Sequence, residues 1–278
     1  MQWTTHIKSK RGFFDINLRE VVEYRDLIVM FVKRYFTLSY KQTILGPLWL
    51  ILKPVISAAI YTMVFTGIAH ISTDGAPALL FYMTGNAVWT FFASCVTSNA
   101  GTFTDNADIF GKVYFPRLVM PISNVVVGAI NLLISSVLIT ITAVVYAVMG
   151  KGVHVNPMIV FLPVLILLAG MAGMGVGIIV SSVTTKYRDL TVMVGFGMQL
   201  WMYATPVVYP VSQIPQKFRI LMMFNPCAPL LEGVRYLCFG MGTIEPVGII
   251  VSTVFSIGVF VFGVLLFNRV EKTFMDVV

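Results

Sequence analysis

Residues 157–183 read PMIVFLPVLILLAGMAGMGVGIIVSSV, and no side chain in this stretch is charged. A helix needs about 20 apolar residues to cross the ~30 Å hydrocarbon core of a bilayer, so the stretch is long enough to span a membrane. Gly170, Gly173, Gly175 and Gly177 recur within it, and such small residues let two helix backbones approach closely. The stretch therefore predicts a transmembrane helix that packs against a neighbouring helix.

The rest of the chain has the same apolar character. Of its 278 residues, 58% are hydrophobic and 11% are charged, and the mean hydropathy is +0.88. An ordinary soluble domain is roughly half apolar and a quarter charged. The sequence thus predicts an all-α, polytopic membrane protein with six transmembrane helices. The apolar runs place these spans at residues 48–69, 78–100, 118–149, 157–183, 190–209 and 247–267.

The N-terminal region has a different pattern. Residues 1–16 are polar and basic, which is typical of a cytoplasmic arm. Asn17, followed three positions later by Glu20, has the form of a helix cap, and apolar residues then recur at spacings of three, four and seven. An apolar stripe beside a charged face favours a helix at the membrane surface, and a solvated helix is the alternative. We therefore predict an arm and an amphipathic interface helix in 1–43, and the six-span domain in 44–278.

The segment between the fifth and sixth spans, residues 210–246, is hydrophobic but interrupted by prolines and glycines. Non-helical backbone at membrane depth is tolerated only where protein or a water-filled path satisfies its polar groups. We therefore expect a re-entrant helical pair between spans five and six, with an ordinary external loop as the alternative. Glu232 and Arg235 are three positions apart, so on a helix they can pair and form a polar edge towards the exit of a pathway.

The distribution of Lys and Arg predicts the orientation of the chain. An even number of spans places both termini on one side, together with fifteen of the basic residues. The other side has four, at Lys151, Lys217, Arg219 and Arg235. Because basic residues concentrate on the cytoplasmic side, both termini are expected there. The formal charge of +7 therefore reflects membrane orientation, and no nucleic-acid partner is expected.

The sequence lacks the usual signatures of catalysis. It contains no G-x-x-x-x-G-K-[ST] phosphate loop, so we expect no ATPase in this chain. No Asp, Glu, Lys or Arg lies in the central part of a predicted span, where ion-coupled carriers commonly keep an ionisable group. We assign no catalytic residue and no metal site, and a membrane-embedded transferase is the weaker alternative. Cys95, Cys227 and Cys238 are expected to be free thiols, although a Cys227–Cys238 bond is left open.

Several short stretches together resemble a known family, the type-2 ABC transporter permeases that export polysaccharides, O-antigens and teichoic acids. The resemblance extends over nearly the whole chain. Near the first span it is carried by RDL at 25–27, RY at 34–35, YKQTILGPLW at 40–49 and Pro54. Further along it is carried by KVYFPR at 112–117 with Pro121, by YRD at 187–189, and by Asn225 and Pro226 with Glu232 and Arg235.

This resemblance implies a function. A permease of this family is a homodimer docked on two separate nucleotide-binding ATPase subunits, which bind the ATP and Mg. No cofactor would bind to this chain itself. The expected substrate is a lipid-linked polysaccharide of the O-antigen, capsule or teichoic-acid type, moved across the cytoplasmic (inner) membrane of a bacterium. A small-molecule or drug exporter of the same family is the alternative.

The resemblance also implies sites for coupling to the ATPase. The interface helix would correspond to residues 17–38, and a coupling helix to about residues 104–112. Thr104 or Asp105 can cap such a short helix, and its apolar residues offer a plug for a cleft in the partner; a solvated loop is the alternative. The candidate interface residues are Arg19, Glu23, Arg25 and Asp26. The candidate coupling residues are Asp105, Asp108, Ile109, Phe110, Lys112 and Arg188.

Two further sites are expected along the pathway. In the family the first and fifth spans line the path, and Tyr61, Phe65 and Tyr203 are the candidates by their depth. Aromatic faces accept the C–H-rich faces of sugar rings, although aromatic anchors facing lipid are the alternative. The expected external gate is formed by Asn225, Pro226, Glu232 and Arg235.

Overall fold

The computed structural model describes residues 18–41, 43–110, 112–113, 115–150, 156–184, 190–240, 242 and 244–274. Within these ranges the chain is helical and forms no strand, so the prediction of an all-α fold is confirmed. The predicted arm, the helix cap at Asn17 and the candidate residue Arg188 lie outside the described residues.

Twelve α-helices follow one another in the described part of the chain. They are α1 (Leu18–Glu23), α2 (Arg25–Tyr40), α3 (Trp49–Tyr61), α4 (Ala78–Ala100), α5 (Thr102–Asp105), α6 (Ala107–Phe110), α7 (Val119–Val148), α8 (Leu162–Thr184), α9 (Leu190–Tyr203), α10 (Gln216–Phe224), α11 (Cys227–Phe239) and α12 (Pro246–Phe274). A 3₁₀ turn at Gly46–Leu48 and a π-helix at Thr62–Ile68 extend α3, and a 3₁₀ helix at Pro157–Phe161 precedes α8.

Among the described residues, five helical segments are long and apolar enough to cross a membrane. Their bounds are Gly46–Ile68, Ala78–Ala100, Val119–Val148, Pro157–Thr184 and Pro246–Val270. The remaining predicted span, 190–209, contains only the 14-residue helix α9, which is about 21 Å long. Pro206 has no amide hydrogen and disfavours helical geometry in the residue before it, so α9 ends at Tyr203.

Helix α4 lies at the centre of the bundle and packs against α3, α7, α8, α9 and α11. Most of its length is buried, whereas the first apolar segment, Gly46–Ile68, has few fully buried residues and packs with one side on α4 and α7. The two segments have similar length, but only α4 is enclosed by other helices on nearly all sides. The extent of burial therefore identifies α4 as a central span and Gly46–Ile68 as a peripheral one.

The glycines of α8 permit its close contacts, as the sequence predicts. A Cβ atom at Gly173 would lie 2.9 Å from the carbonyl oxygen of Phe92 on α4, and one at Gly177 would lie 2.7 Å from that of Val96. On another face, a Cβ atom at Gly175 would lie 2.7 Å from the backbone nitrogen of Phe260 on α12. Larger side chains at these positions would separate α8 from both neighbours.

The N-terminal region is helical from Leu18, but it consists of two helices separated at Tyr24. Helix α2 packs against α7, and its Phe31 is buried together with Val21 of α1. Glu23, Arg25 and Asp26 are exposed. The apolar side of this region therefore packs on the helix bundle, and its charged side lies on the surface of the chain.

Candidate functional site

The loop between α4 and α7, residues 101–118, contains the candidate coupling residues. Two one-turn helices, α5 and α6, replace the single helix that we expected over 104–112. The predicted cap is wrong, because α5 begins at Thr102, before both Thr104 and Asp105. The Thr104 hydroxyl donates instead to the carbonyl oxygen of Gly101 at 3.1 Å. This loop is therefore built from tight turns.

The coupling candidates differ in exposure. Asp105, Asp108 and Lys112 are exposed, and Ile109 is half-buried. Phe110 has only 3% of its side chain exposed, so the expectation that it forms a plug on the surface is wrong. Its own chain already provides an apolar pocket for the ring, and burial there removes apolar area from water. The charged residues of the loop are the groups that remain accessible to a partner.

Five phenylalanines, Phe31, Phe103, Phe110, Phe115 and Phe267, form an aromatic cluster around this loop. The rings of Phe103 and Phe267 stack at a centroid distance of 4.5 Å, and those of Phe110 and Phe115 lie 5.6 Å apart. Phe31 lies 5.8 Å from Phe115. The cluster connects α2, the 101–118 loop and α12, so the loop is in direct contact with both helices.

Hydrogen bonds hold the same loop against its neighbours. The Tyr35 hydroxyl of α2 donates to Asn106 Oδ1 at 3.2 Å, and burial raises the pKa of Tyr35, so its phenol stays protonated as a donor. The Thr184 hydroxyl of α8 donates to the Ala100 carbonyl oxygen at 3.0 Å. The candidate interface pair Arg25–Asp26 is 3.9 Å apart and highly exposed, so it contributes little to stability.

At the opposite end of the bundle, α10 and α11 form a pair of short helices joined at Asn225 and Pro226. Asn225 uses both ends of its side-chain amide. Its Nδ2 donates to the carbonyl oxygen of Ala204 and to Thr205 Oγ1, both at 3.0 Å. Its Oδ1 accepts from Trp201 Nε1 at 3.2 Å and from the backbone N–H of Cys227 at 3.1 Å. Asn225 therefore connects the end of α9 to the start of α11.

Arg235 makes a second connection between these elements. Its Nη1 donates to Glu232 Oε1 at 2.8 Å and to the carbonyl oxygen of Pro206 at 2.7 Å. Its Nη2 donates to the carbonyl oxygen of Val207 at 2.7 Å, and the guanidinium carbon lies 3.6 Å from the centroid of the Phe81 ring. We call Glu232 and Arg235, with the 206–207 carbonyls, the arginine clamp.

The predicted pairing of Glu232 with Arg235 is confirmed, but its predicted direction is wrong. The exposed fractions of the two side chains are 7% and 1%, so the pair faces the interior of the chain. Helix α9 ends at Tyr203, so the carbonyl groups of Pro206 and Val207 have no helical N–H partners, and the guanidinium satisfies them. The pair is thus part of the packing between α11, α4 and the turn after α9.

Two of the three candidate pathway residues lie near each other. Tyr61 and Phe65 have ring centroids 5.9 Å apart, and both rings contact the buried Tyr82 of α4, at 6.2 and 6.1 Å. Tyr203 of α9 is 55% exposed. The first predicted span therefore places two neighbouring rings beside α4, and α9 presents a third, exposed ring.

Sequence reasoning missed several residues that support these sites. A Cβ atom at Gly85 would meet the Arg235 guanidinium and lie 2.8 Å from the Val207 carbonyl oxygen, so only glycine leaves room for the clamp. Nothing in the spacing of Gly85 singles it out. Trp201 is one of many aromatic residues in the apolar runs, and Phe267 lies far along the sequence from Phe103, so neither contact has a local signal.

The described residues contain no group of three His, Cys, Asp or Glu that could hold a metal ion. Cys95, Cys227 and Cys238 are free thiols, so the open Cys227–Cys238 bond does not form. The candidate residues therefore offer contacts, apolar packing and hydrogen bonds, and they lie at two separate ends of the bundle.

The chain is similar to a known family of transporters and to three known permeases. A model of the family described as ABC-2 type transporter matches residues 26–239. An O-antigen export system permease protein RfbA of Klebsiella pneumoniae is 30% identical over 252 residues, covering 91% of this chain and 95% of that relative. A second RfbA from the same organism is 29% identical with the same coverage. The RfbA of Myxococcus xanthus is 30% identical over 220 residues, covering 78% of this chain and 82% of the relative.

Proposed function

Since this chain belongs to the ABC-2 type transporter family, we propose that it is the permease of an ATP-driven exporter of lipid-linked O-antigen polysaccharide. The observation that carries the proposal is the likeness over nine-tenths of the chain to permeases named for O-antigen export. The length of the match matters, because it includes the spans, the 101–118 loop and the short-helix pair. The chain itself carries out no ATP hydrolysis.

The energy for transport comes from a separate ATPase subunit, in two copies, which binds ATP and Mg. Asp105, Asp108 and Lys112 are its contacts on the 101–118 loop. Their exposure beside the buried aromatic cluster supports this assignment. The charged side of α1 and α2 gives the ATPase a second surface. Movement of the loop then reaches α12 through the stacked rings of Phe103 and Phe267.

The permease works as a homodimer with the pathway between the two copies. The exposed apolar side chains of the first span and α9 support this arrangement. Other parts of the same chain leave them uncovered, so a second copy can pack against them. Tyr61, Phe65 and Tyr203 line the path from each copy, and their aromatic faces contact sugar rings. Among the most exposed of these apolar side chains are Ile56, Ile60, Met63, Val192, Met193 and Phe196.

The chain crosses the inner membrane six times, with both termini in the cytoplasm. The sixth crossing is made by α9 and its flanking residues, and the apolar character of 190–209 supports this. Helices α10 and α11 fold back from the external side as a re-entrant gate. Exposed Phe218, Ile220 and Phe224 of α10 support this placement, since lipid suits these side chains better than water.

Reconstitution tests this proposal directly. The chain is co-expressed with its ATPase, purified and inserted into proteoliposomes that contain lipid-linked O-antigen. We expect the glycan to stimulate ATP hydrolysis and to appear on the opposite side of the bilayer. A drug exporter of the same family would respond to small apolar drugs instead. Hydrolysis that ignores the glycan and responds to drugs would reject the proposed substrate and retain the family.

A further inference from the structure

A groove between α4, α7, α8 and α11 belongs to none of the sites described above. Its volume is about 280 Å³, and it lies at the same end of the bundle as the short-helix pair. Its lining residues on α7 run from Leu132 to Ala147, which is about 22 Å along the helix axis. Half the hydrocarbon thickness of a bilayer is about 15 Å, so the groove is longer than one leaflet is deep and can hold the full length of an acyl chain.

The chemistry of the lining excludes water and sugar as occupants. Three hydroxyl groups line the groove, on Thr84, Ser136 and Thr140, and each donates to a carbonyl oxygen of its own helix at 2.8, 2.9 and 2.8 Å. The other lining residues are apolar, apart from the thiol of Cys238. A buried water needs two to four polar partners, and a sugar needs more, so neither is stabilised here.

The position of the groove separates it from the candidate pathway. Tyr82 of α4 contacts Tyr61 and Phe65, whereas Thr84 lines the groove. Two residues along a helix correspond to a rotation of about 200°, so these two side chains lie on opposite sides of α4. The occupant of the groove is therefore separated from the transported molecule by a central span.

We propose that this groove binds one acyl chain of a membrane phospholipid, which packs between α7 and α11. The apolar lining and its length match a single hydrocarbon chain, and the groove reaches the surface of the bundle at Val144, whose side chain is 57% exposed. A second protein copy would bury a broad surface, whereas the lining of this groove comes from several helices of the same chain. The bound chain supplies packing for Val234 and Phe239 of α11, and so for the helix that holds the arginine clamp.

Photocrosslinking in nanodiscs tests this inference. The full chain is placed in phosphatidylcholine nanodiscs that contain a small fraction of phosphatidylcholine with a diazirine on its acyl chain, and crosslinks are mapped by mass spectrometry. We expect labelling of Ile139, Ala143 and Val234 in the groove to exceed that of Val137 and Val145 by several-fold. The two valines lie on α7, are 60% and 48% exposed, and do not line the groove. Equal labelling would overturn the proposal.

Two treatments test whether the crosslinks come from a lipid chain that is bound in the groove. Ala143→Phe fills the groove and should abolish its labelling, whereas Val145→Phe adds a ring outside the groove and should leave labelling unchanged. The Cys238 thiolate attacks hexadecyl methanethiosulfonate, forms a mixed disulfide with the hexadecylthio group and releases methanesulfinate. This attaches a chain at the groove wall without any mutation, and it should also compete with the label. Labelling that survives this modification would contradict the proposal.

A competition experiment identifies which kind of lipid provides the hydrocarbon chain in the groove. Polyprenyl phosphate, added in excess over the labelled phosphatidylcholine, should leave the labelling of the groove unchanged. Displacement of the label would overturn the assignment to phospholipid and identify an isoprenoid chain as the occupant. The experiment uses neither ATP nor glycan, so its result is independent of the proposed export function.

Discussion

The two ends of this molecule are held together by different forces. At the end with the 101–118 loop, the aromatic cluster packs α2, the loop and α12 mainly through ring contacts, and two hydrogen bonds, Tyr35–Asn106 and Thr184–Ala100, add to them. At the other end, the arginine clamp and Asn225 join α11 to the turn after α9 through hydrogen bonds to named backbone atoms. Apolar packing depends on shape and area, whereas hydrogen bonds also depend on direction.

This difference indicates how each end can respond to movement. Rings that pack without directional bonds can shift relative to one another and keep most of their contact area. A buried guanidinium cannot move without losing its partners, and an unpaired buried charge is expensive. We therefore expect the loop end to tolerate small displacements and the clamp end to change between distinct arrangements. The predictions below test this contrast.

The largest effect is expected at the clamp. Arg235→Met removes the guanidinium and leaves Glu232 buried without its partner, which costs about 3–5 kcal/mol for a buried pair. The free energy of unfolding is measured by chemical denaturation in mixed micelles. Arg235→Lys should recover little, because one ammonium group cannot reproduce the planar set of donors.

A double variant tests the cause of that loss. Arg235→Met combined with Glu232→Leu removes both charges and replaces them with apolar groups, so much of the lost stability should return. Recovery by Arg235→Lys as complete as by the double variant would contradict a directional clamp.

A comparable substitution at the other end should behave differently. Phe103→Ala removes a fully buried ring from the aromatic cluster and should cost about 3–5 kcal/mol. Phe103→Leu keeps much of the apolar volume and should recover most of this loss, which is the opposite of the response of Arg235 to a conservative change. The free energy of unfolding of both variants is measured by the same chemical denaturation. Equal losses in Phe103→Ala and Phe103→Leu would mean that ring geometry, and not apolar volume, stabilises this end.

Asn225 should show an intermediate effect. Asn225→Ala removes four hydrogen bonds and leaves the buried Thr205 and the half-buried indole of Trp201 without this partner, which costs about 1–3 kcal/mol. Ser212→Ala is the matched control, because it removes one exposed hydrogen bond, to Asp74, at the same end of the molecule. A loss no greater than that of the control would show that Asn225 does not hold α9 to α11.

The sequence predicted those features that depend on local composition. Five apolar runs became helices with bounds close to those expected, and the spacing of Glu232 and Arg235 predicted their ion pair. The short helices between 210 and 246 likewise followed from the spacing of prolines and glycines. Periodicity and helix-breaking residues act within a few turns, so these features can be read from the sequence alone.

Features that depend on tertiary contacts were not predicted. The direction of the Glu232–Arg235 pair depends on the carbonyl groups of Pro206 and Val207 in the turn after α9, and these reach Arg235 only in the folded chain. Phe110 is buried because Phe103 and Phe115 enclose it, which the local pattern of the loop does not reveal. In both cases the position of a side chain depends on residues from another element.

The smallest effect on stability, and the clearest effect on function, is expected at the exposed acidic residues of the loop. Asp105→Arg changes a surface charge, so the free energy of unfolding should change by less than about 0.5 kcal/mol. If this residue contacts the ATPase, the reversed charge should weaken the complex and reduce glycan-stimulated hydrolysis in proteoliposomes. Lys217→Glu is the matched control, because it also reverses one exposed charge but lies at the clamp end. Normal stimulation in Asp105→Arg, or an equal loss in Lys217→Glu, would show that the accessible charges of the loop do not make the contact, and that the ATPase docks elsewhere.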